Sequence, residues 1–263
     1  MQVQEEEFWL EASEGRLYAK TWRPTMSGSW TASPILLFHD SLGCVQLWRD
    51  FPQLLSLQTN RTIIAYDRIG FGRSAPAQAK LQSDFISDEA AEIVPIVLQQ
   101  LGLTEFIACG HSVGGAMAIE AAGHFPRLCH GVITLGAQAF VTEQTVFGVQ
   151  AAKADFEAPD EFKRLEKYHG ERARWVLNAW TETWLGDEFK DWNLDEPLER
   201  IACPILAVHG DRDEYGPIDH AVRIAGDRGE ISILPSIGHS PHRQDPLRLA
   251  EVIAKFIQSR DLP

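Results

Sequence analysis

Apolar residues in this chain fall into two kinds of stretch, and the two alternate. Short unbroken runs, PILLF (34–38), TIIAY (62–66), FIACG (106–110), GVITLG (131–136), PILAVHG (204–210) and ISILP (231–235), suit strands buried on both faces of a sheet. Between them lie stretches of helical character. These are expected near residues 47–57, over DEAAEIVPIVLQQL (88–101), from about 112 to 125, over 218–225, and over LRLAEVIAKFIQS (247–259). Ser87 or Asp88 can cap the second helix, and Pro95 should kink or split it. Ahead of all this, EFWLEASEGRLYAKTW (7–22) reads as two strands joined at Glu14-Gly15, a hairpin turn signal. Strands alternating with helices predict an α/β fold, a mostly parallel central sheet with helices on both faces.

The alternation breaks once, over residues 140–198. This segment is polar, helical and rich in tryptophan, with Trp175, Trp180, Trp184 and Trp192. The expected organisation is therefore a core of residues 1–139 and 199–263 with a helical lid, 140–198, inserted over the C-terminal edge of the sheet. The alternative is an ordinary helical excursion packed on the side.

Composition narrows the function classes. The chain has 263 residues, 44% of them apolar, enough for one large domain with a sizeable core. Its net charge of -13 repels phosphate backbones, which argues against a nucleic-acid partner. No apolar run approaches the roughly 18–20 residues of a membrane span, and the acidic MQVQEEEFWL does not read as a signal peptide. A soluble cytoplasmic protein is expected. Cys44, Cys109, Cys129 and Cys203 are scattered without a CxxC pair, so neither a structural zinc nor a disulfide framework is expected. Cys109, inside FIACG, reads as a buried core thiol.

The chemistry is concentrated at GHSVGG (110–115), which holds Gly-x-Ser-x-Gly at Gly110, Ser112 and Gly114. By composition alone that pattern arises in about one chain in ten of this length. Its setting decides: the strand FIAC precedes it and the helical AMAIEAAGHF follows, the strand–turn–helix context of a nucleophile elbow. There the serine is exposed on a strained turn, its neighbours must lack bulk, and the helix N-terminus faces a developing oxyanion. Chains built around such an elbow order their triad as Ser, then Asp or Glu, then His. Downstream, PILAVHG runs into DRDEYGP and ISILP runs into SIGHSPH. These place Asp213 and His239 just past strand ends, where open α/β sheets gather their sites. Asp211 is the rival acid and His242, expected to begin the last helix, the rival base. His124, His130, His169 and His220 are expected at the surface or at helix ends, and His209 in the core or behind the site.

Taken together, HDSLG (39–43), YDRIGFGRS (66–74), GHSVGG (110–115), HGDRDEYGP (209–217) and IGHSPH (237–242) resemble the α/β-hydrolase superfamily over essentially the whole chain. The likeness is greatest to its small soluble esterase, lactonase, C–C hydrolase and cofactor-free haloperoxidase branch. KYHGERARWVLNAWTETW is similar to the lid of biphenyl-hydrolase-like enzymes. The resemblance implies Ser112, Asp213 and His239 as the triad, and the backbone N–H groups of Ser41 and Val113 as the oxyanion hole. It implies a lid-lined pocket for a small-molecule substrate, in which Trp175, Trp180 and Trp184 are candidates. No metal or organic cofactor is expected, and the oligomeric state is left open. The activity it implies is acyl transfer from an ester or lactone to water. C–C bond hydrolysis, or a cofactor-free perhydrolase or lyase, would use the same triad. A ligand-binding receptor could retain the triad with little turnover.

Gly70-x-Gly72 lacks the third glycine and immediate helix of a dinucleotide fingerprint, so the loop is expected to pack beside the site. Asp40 stands where the family usually has glycine. Asp tolerates left-handed backbone angles, and its carboxylate is expected to point away from the oxyanion, toward Arg68 or Arg73. Replacement by glycine should then preserve folding and most activity.

Overall fold

The computed structural model describes residues 2–25 and 32–263. Eight strands form one sheet: β1 (Val3–Ala12), β2 (Gly15–Pro24), β3 (Ile35–Phe38), β4 (Ile63–Tyr66), β5 (Phe106–His111), β6 (Cys129–Leu135), β7 (Ile205–Gly210) and β8 (Glu230–Leu234). Their spatial order is β1-β2-β4-β3-β5-β6-β7-β8. The N-terminal hairpin adds to β4 antiparallel, and every pairing from β4 to β8 is parallel.

Side chains of the short strands alternate between two cores, as a period of two requires. Leu36, Phe38, Phe106, Ala108, Val132 and Ala207 face one side. Ile35, Leu37, Ile107, Cys109, Ile133 and Val208 face the other. The second face is covered by α1 (Phe51–Thr59) and by α11 (Pro246–Ser259) through Phe51, Leu55, Ile253 and Phe256. Over the first face lie α2 (Phe85–Asp88), α3 (Val94–Leu101), α4 (Val113–His124) and α9 (Asp219–Ala225). Among the described residues, no helix is long and apolar enough to cross a membrane.

The helix boundaries differ from expectation where the backbone makes local adjustments. The run expected at 47–57 is a 3-10 turn, Val45–Trp48, then α1, separated at Arg49 by a positive φ of 52°. The next helical run starts at Phe85 after Asp84, so Ser87 and Asp88 lie inside its first turns rather than capping it. A π-helical stretch, Glu89–Ile93, precedes Pro95, which sits in the first turn of α3. The wider π turn accommodates a residue that cannot donate to the ladder. Cys129, where β6 begins, donates its thiol to the Gly131 carbonyl at 3.3 Å, and all four cysteines are free.

Between β6 and β7 the chain forms α5 (Glu143–Asp155), α6 (Pro159–His169), α7 (Ala173–Trp184) and α8 (Asp195–Arg200). Leu165, Ala173, Val176 and Leu177 make a third small core with Phe71 of the loop after β4. α8 is tied to the main body instead, through Arg200 to Glu120 of α4 at 3.1 Å. The last strand leads through a short α10 (Pro241–Gln244) into α11. His242 therefore lies in α10 and is buried, and Asp245 and Pro246 open the final helix.

Candidate active site

The chain reverses direction across the sheet between β3 and β5, which are neighbours with Phe38 opposite Gly110. Such a switch point leaves a crevice at the strand C-termini. Five segments open into it: residues after β3, β5, β6, β7 and β8. They line a cavity of about 440 Å³, closed on its far side by side chains of α5, α6 and α7.

Ser112 occupies the turn from β5 to α4 with φ 55° and ψ −125°, a region that side-chain-bearing residues avoid. The surrounding glycines make this turn possible. A Cβ on Gly110 would overlap the Gly114 carbonyl, and one on Gly114 would overlap the Phe38 carbonyl. The Ser112 Oγ lies 3.4 Å from Gln138 Oε1. The next residue, Val113, begins α4, so its N–H is one of the four that no helical carbonyl satisfies. Ser41, in a turn after β3, lines the same cavity. Among the described residues, its N–H makes no hydrogen bond to the protein.

Asp213 and His239 come together from the ends of β7 and β8. The two carboxylate oxygens lie 3.0 and 2.9 Å from His239 Nδ1. The Asp213 side chain is 1% exposed and that of His239 11%, so the ring is open only on its outer side. Burial by itself raises the Asp213 pKa. The hydrogen bond and charge of His239, with the Tyr215 N–H, outweigh it and hold the carboxyl below its usual range. His209 adds a further contact, 3.7 Å from Asp213. Asp211, two residues away, accepts from the Ser236 N–H at 2.6 Å in an exposed turn and does not meet His239. His242 packs on Trp48 and His111, away from Asp213.

Asp40 departs from expectation. Its φ is not positive, so the acid fits without backbone strain. Its carboxylate meets neither Arg68 nor Arg73. Oδ1 accepts from the Leu42 N–H at 2.9 Å, and Oδ2 lies 3.0 Å from His111 Nδ1 and accepts from Arg243 Nη2 at 3.1 Å. Since β3 and β5 are adjacent, a side chain leaving β3 reaches the end of β5 directly. Arg68 donates instead to the Asp40 main-chain carbonyl, and Arg73 pairs with Glu7 at 2.7 Å. Burial raises the Asp40 pKa, but His111 and Arg243 together hold it well below the carboxylate range. His111 Nε2 in turn lies 2.8 Å from the His239 carbonyl. Asp40, His111 and His242 present possible ligand atoms within 4.8 Å of one another. Arg243 bonded to the same carboxylate oxygen makes that cluster a poor cation site.

Trp180 and Trp184 line the cavity, but Trp175 does not. Trp180 and Trp184 are four residues apart and share a face of α7, whereas Trp175 lies about 140° around the helix from Trp180. It packs on Phe71 and donates to the Ala79 carbonyl at 3.1 Å. Two of the histidines expected at the surface or at helix ends, His220 and His169, lie at helix ends and are buried. His220 accepts from the Ala139 N–H at 3.3 Å, and burial lowers its pKa to about 4. His169 closes α6 and bridges two loops, with Nδ1 accepting from Gly72 N–H and Nε2 bonded to the Leu42 carbonyl, each at 3.0 Å.

Sequence reasoning missed Gln138, Glu214, Tyr215 and Arg243, all of which line the cavity. Glu214 accepts from the His239 N–H at 3.2 Å, and the Tyr215 ring packs on His239 with centroids 4.7 Å apart. Three of the four lie within or one residue beyond the quoted motifs, so adjacency to a motif was the available signal; Gln138 had none.

A family model described as the alpha/beta hydrolase fold matches residues 33–165. The human serine hydrolase BPHL is 29% identical over 245 residues, covering 85% of this chain and 77% of that protein. The bifunctional esterase/perhydrolase DCH of Acinetobacter calcoaceticus is 24% identical, over 92% of this chain and 96% of its own. Among solved structures, the enol-lactonase from Burkholderia xenovorans LB400 superposes with a TM-score of 0.73 at 14% identity. It covers 95% of this chain and 100% of that one. With the family model spanning half its length, this chain belongs to the alpha/beta hydrolase fold family.

Proposed function

We propose that the protein is a serine hydrolase that cleaves a small, largely apolar ester or lactone through an acyl-enzyme. The observation that carries this reading is the buried Asp213 carboxylate on His239 Nδ1, opening into the same cavity as a serine held at a strained elbow. With Nδ1 engaged, the other ring nitrogen of His239 is left to take the Ser112 proton as Oγ attacks the substrate carbonyl. The Ser41 and Val113 N–H groups receive the developing oxyanion, each contributing about 3 kcal/mol to the transition state. His239 then protonates the leaving group, and water deacylates Ser112 by the reverse route. Asp213 fixes the tautomer of His239 and stabilises its cation.

Residues 140–198 act as the lid in this reading. Leu165, Val149, Phe156, Trp180 and Trp184 give the cavity an apolar wall, which suits an apolar or aromatic acyl group, while Arg49, Glu161, Arg164 and Lys167 add charged lining that can meet a polar portion of the substrate. The names of the related proteins, a serine hydrolase, an esterase/perhydrolase and an enol-lactonase, agree with ester or lactone chemistry. The esterase/perhydrolase relative also supports a second reading, in which peroxide replaces water at the acyl-enzyme. Turnover of a p-nitrophenyl ester panel tests the proposal. Ser112→Ala should lower kcat by at least about 10⁴-fold. A fluorophosphonate should add to Ser112, as read by mass spectrometry. Equal rates for wild type and Ser112→Ala would overturn the serine mechanism.

A further inference from the structure

The loop YDRIGFGRS begins beside the cavity, and its Arg68 is buried (4% exposed). A buried guanidinium is expected to face a carboxylate. Arg68 makes no direct ion pair among the described residues, and its Nε has no hydrogen-bond partner; the buried Glu89 carboxylate, which accepts from Tyr66 Oη at 2.6 Å, is its leading opposite charge. The head group lies 4.1 Å over the Phe71 ring, and its Nη2 donates to the Asp40 carbonyl at 3.0 Å.

That carbonyl is unusually well supplied with donors. The Gly43 N–H reaches it at 3.1 Å and His39 Nδ1 at 2.8 Å. The roles of His39 follow from its surroundings. Its Nε2 accepts from the Arg68 N–H at 3.2 Å, so the ring is neutral and its one proton sits on Nδ1, pointing at Asp40. The Asp40 carbonyl belongs to the same planar peptide unit as the Ser41 N–H, and the two point in opposite directions. Donors on the carbonyl withdraw electrons from that unit and make its N–H a stronger donor, and hydrogen bonds in series reinforce one another in this way. A cation on the carbonyl side does so most strongly and also places positive charge behind the oxyanion, in a site of low dielectric.

We propose that Arg68 is a positioning residue for acyl transfer, acting through the Asp40–Ser41 peptide to strengthen the Ser41 N–H toward the oxyanion. The proposal rests on the serine hydrolase reading. It gives HDS and YDRIGFGRS one joint role: His39 and Arg68 converge on the middle residue's carbonyl, and the third residue's N–H delivers the effect. Because the benefit arises only when negative charge develops on the substrate oxygen, it belongs to kcat rather than to ground-state binding.

The test compares wild type, Arg68→Gln, Arg68→Lys and Ser112→Ala on a p-nitrophenyl ester, with thermal unfolding of each. Binding of an arylboronic acid, whose tetrahedral adduct on serine carries the negative charge, is measured alongside. Arg68→Gln should lower kcat about 10- to 30-fold with KM within about 2-fold, and weaken the boronic acid by a similar factor. Arg68→Lys should keep at least about a third of kcat, and it carries the comparison alone if Arg68→Gln does not fold. An unchanged kcat in Arg68→Gln overturns the proposal. So does a loss beyond 10-fold in Arg68→Lys, because a role in packing alone would tolerate neither substitution. Equal hydrolysis by wild type and Ser112→Ala would instead remove the serine reading itself.

Discussion

At the scale of single residues, two acids two positions apart have opposite fates. Asp213 faces His239 and is buried, whereas Asp211 holds a turn through Ser236. In the proposed mechanism only the first orients the base. Asp213→Asn should therefore cost about 10⁴-fold in kcat, and Asp211→Asn less than about 3-fold, measured on the same ester. Asp213 also predicts a pH dependence of stability. Its folded pKa is depressed relative to about 3.9 in an unfolded chain. Its contribution is thus complete above the unfolded value and is lost as pH falls through the lower folded one. The gap in urea midpoint between wild type and Asp213→Asn should be constant above about pH 5 and shrink below about pH 4. A gap that instead widened in acid would contradict this assignment.

At the scale of elements, the site is a junction of loops, and Asp40 ties them together. Its carboxylate joins the turn after β3, through Leu42, to the end of β5 through His111 and to α10 through Arg243. His111 continues the link to the main chain of His239. Replacing Asp40 by glycine would leave Arg243, His111 and the Leu42 N–H without this acceptor. The sequence alone points to a harmless replacement. The structure reverses that expectation, because the neighbours that depend on the carboxylate come from residues 71 and 203 positions away. Asp40→Gly should lose about 2 kcal/mol of stability in urea unfolding, and Asp40→Asn, which keeps an acceptor for Leu42, should lose less. Equal stability of glycine and wild type would show the link to be idle.

At the scale of the whole molecule, the helices between β6 and β7 are held to the main body by several polar anchors, of which His169 is the most buried, with Arg172 on the Gly72 and Ser74 carbonyls close by. His169 bonds Gly72 N–H and the Leu42 carbonyl, so one side chain joins α6 to the loops after β3 and β4. His169→Ala should free α6 and raise the rate of limited proteolysis within residues 140–198 several-fold, with the sheet-borne core left intact. Cleavage spread evenly over the chain would count against a separable lid. Much of this architecture was legible in advance. The unbroken apolar runs form strands buried on both faces, except ISILP, which forms the edge strand β8 with Ile231 and Ile233 exposed, and glycines two residues either side of Ser112 leave room for a strained turn. Local chemistry thus determined the fold class, the order of elements and the short list of candidate site residues. Sequence could not settle which partners those residues meet. Asp40 and Arg243 are 203 positions apart, Arg68 reaches a carbonyl rather than a carboxylate, and Trp175 turns away from the cavity. Side-chain partners across a parallel sheet depend on strand order and register, and these arise only when the whole chain packs.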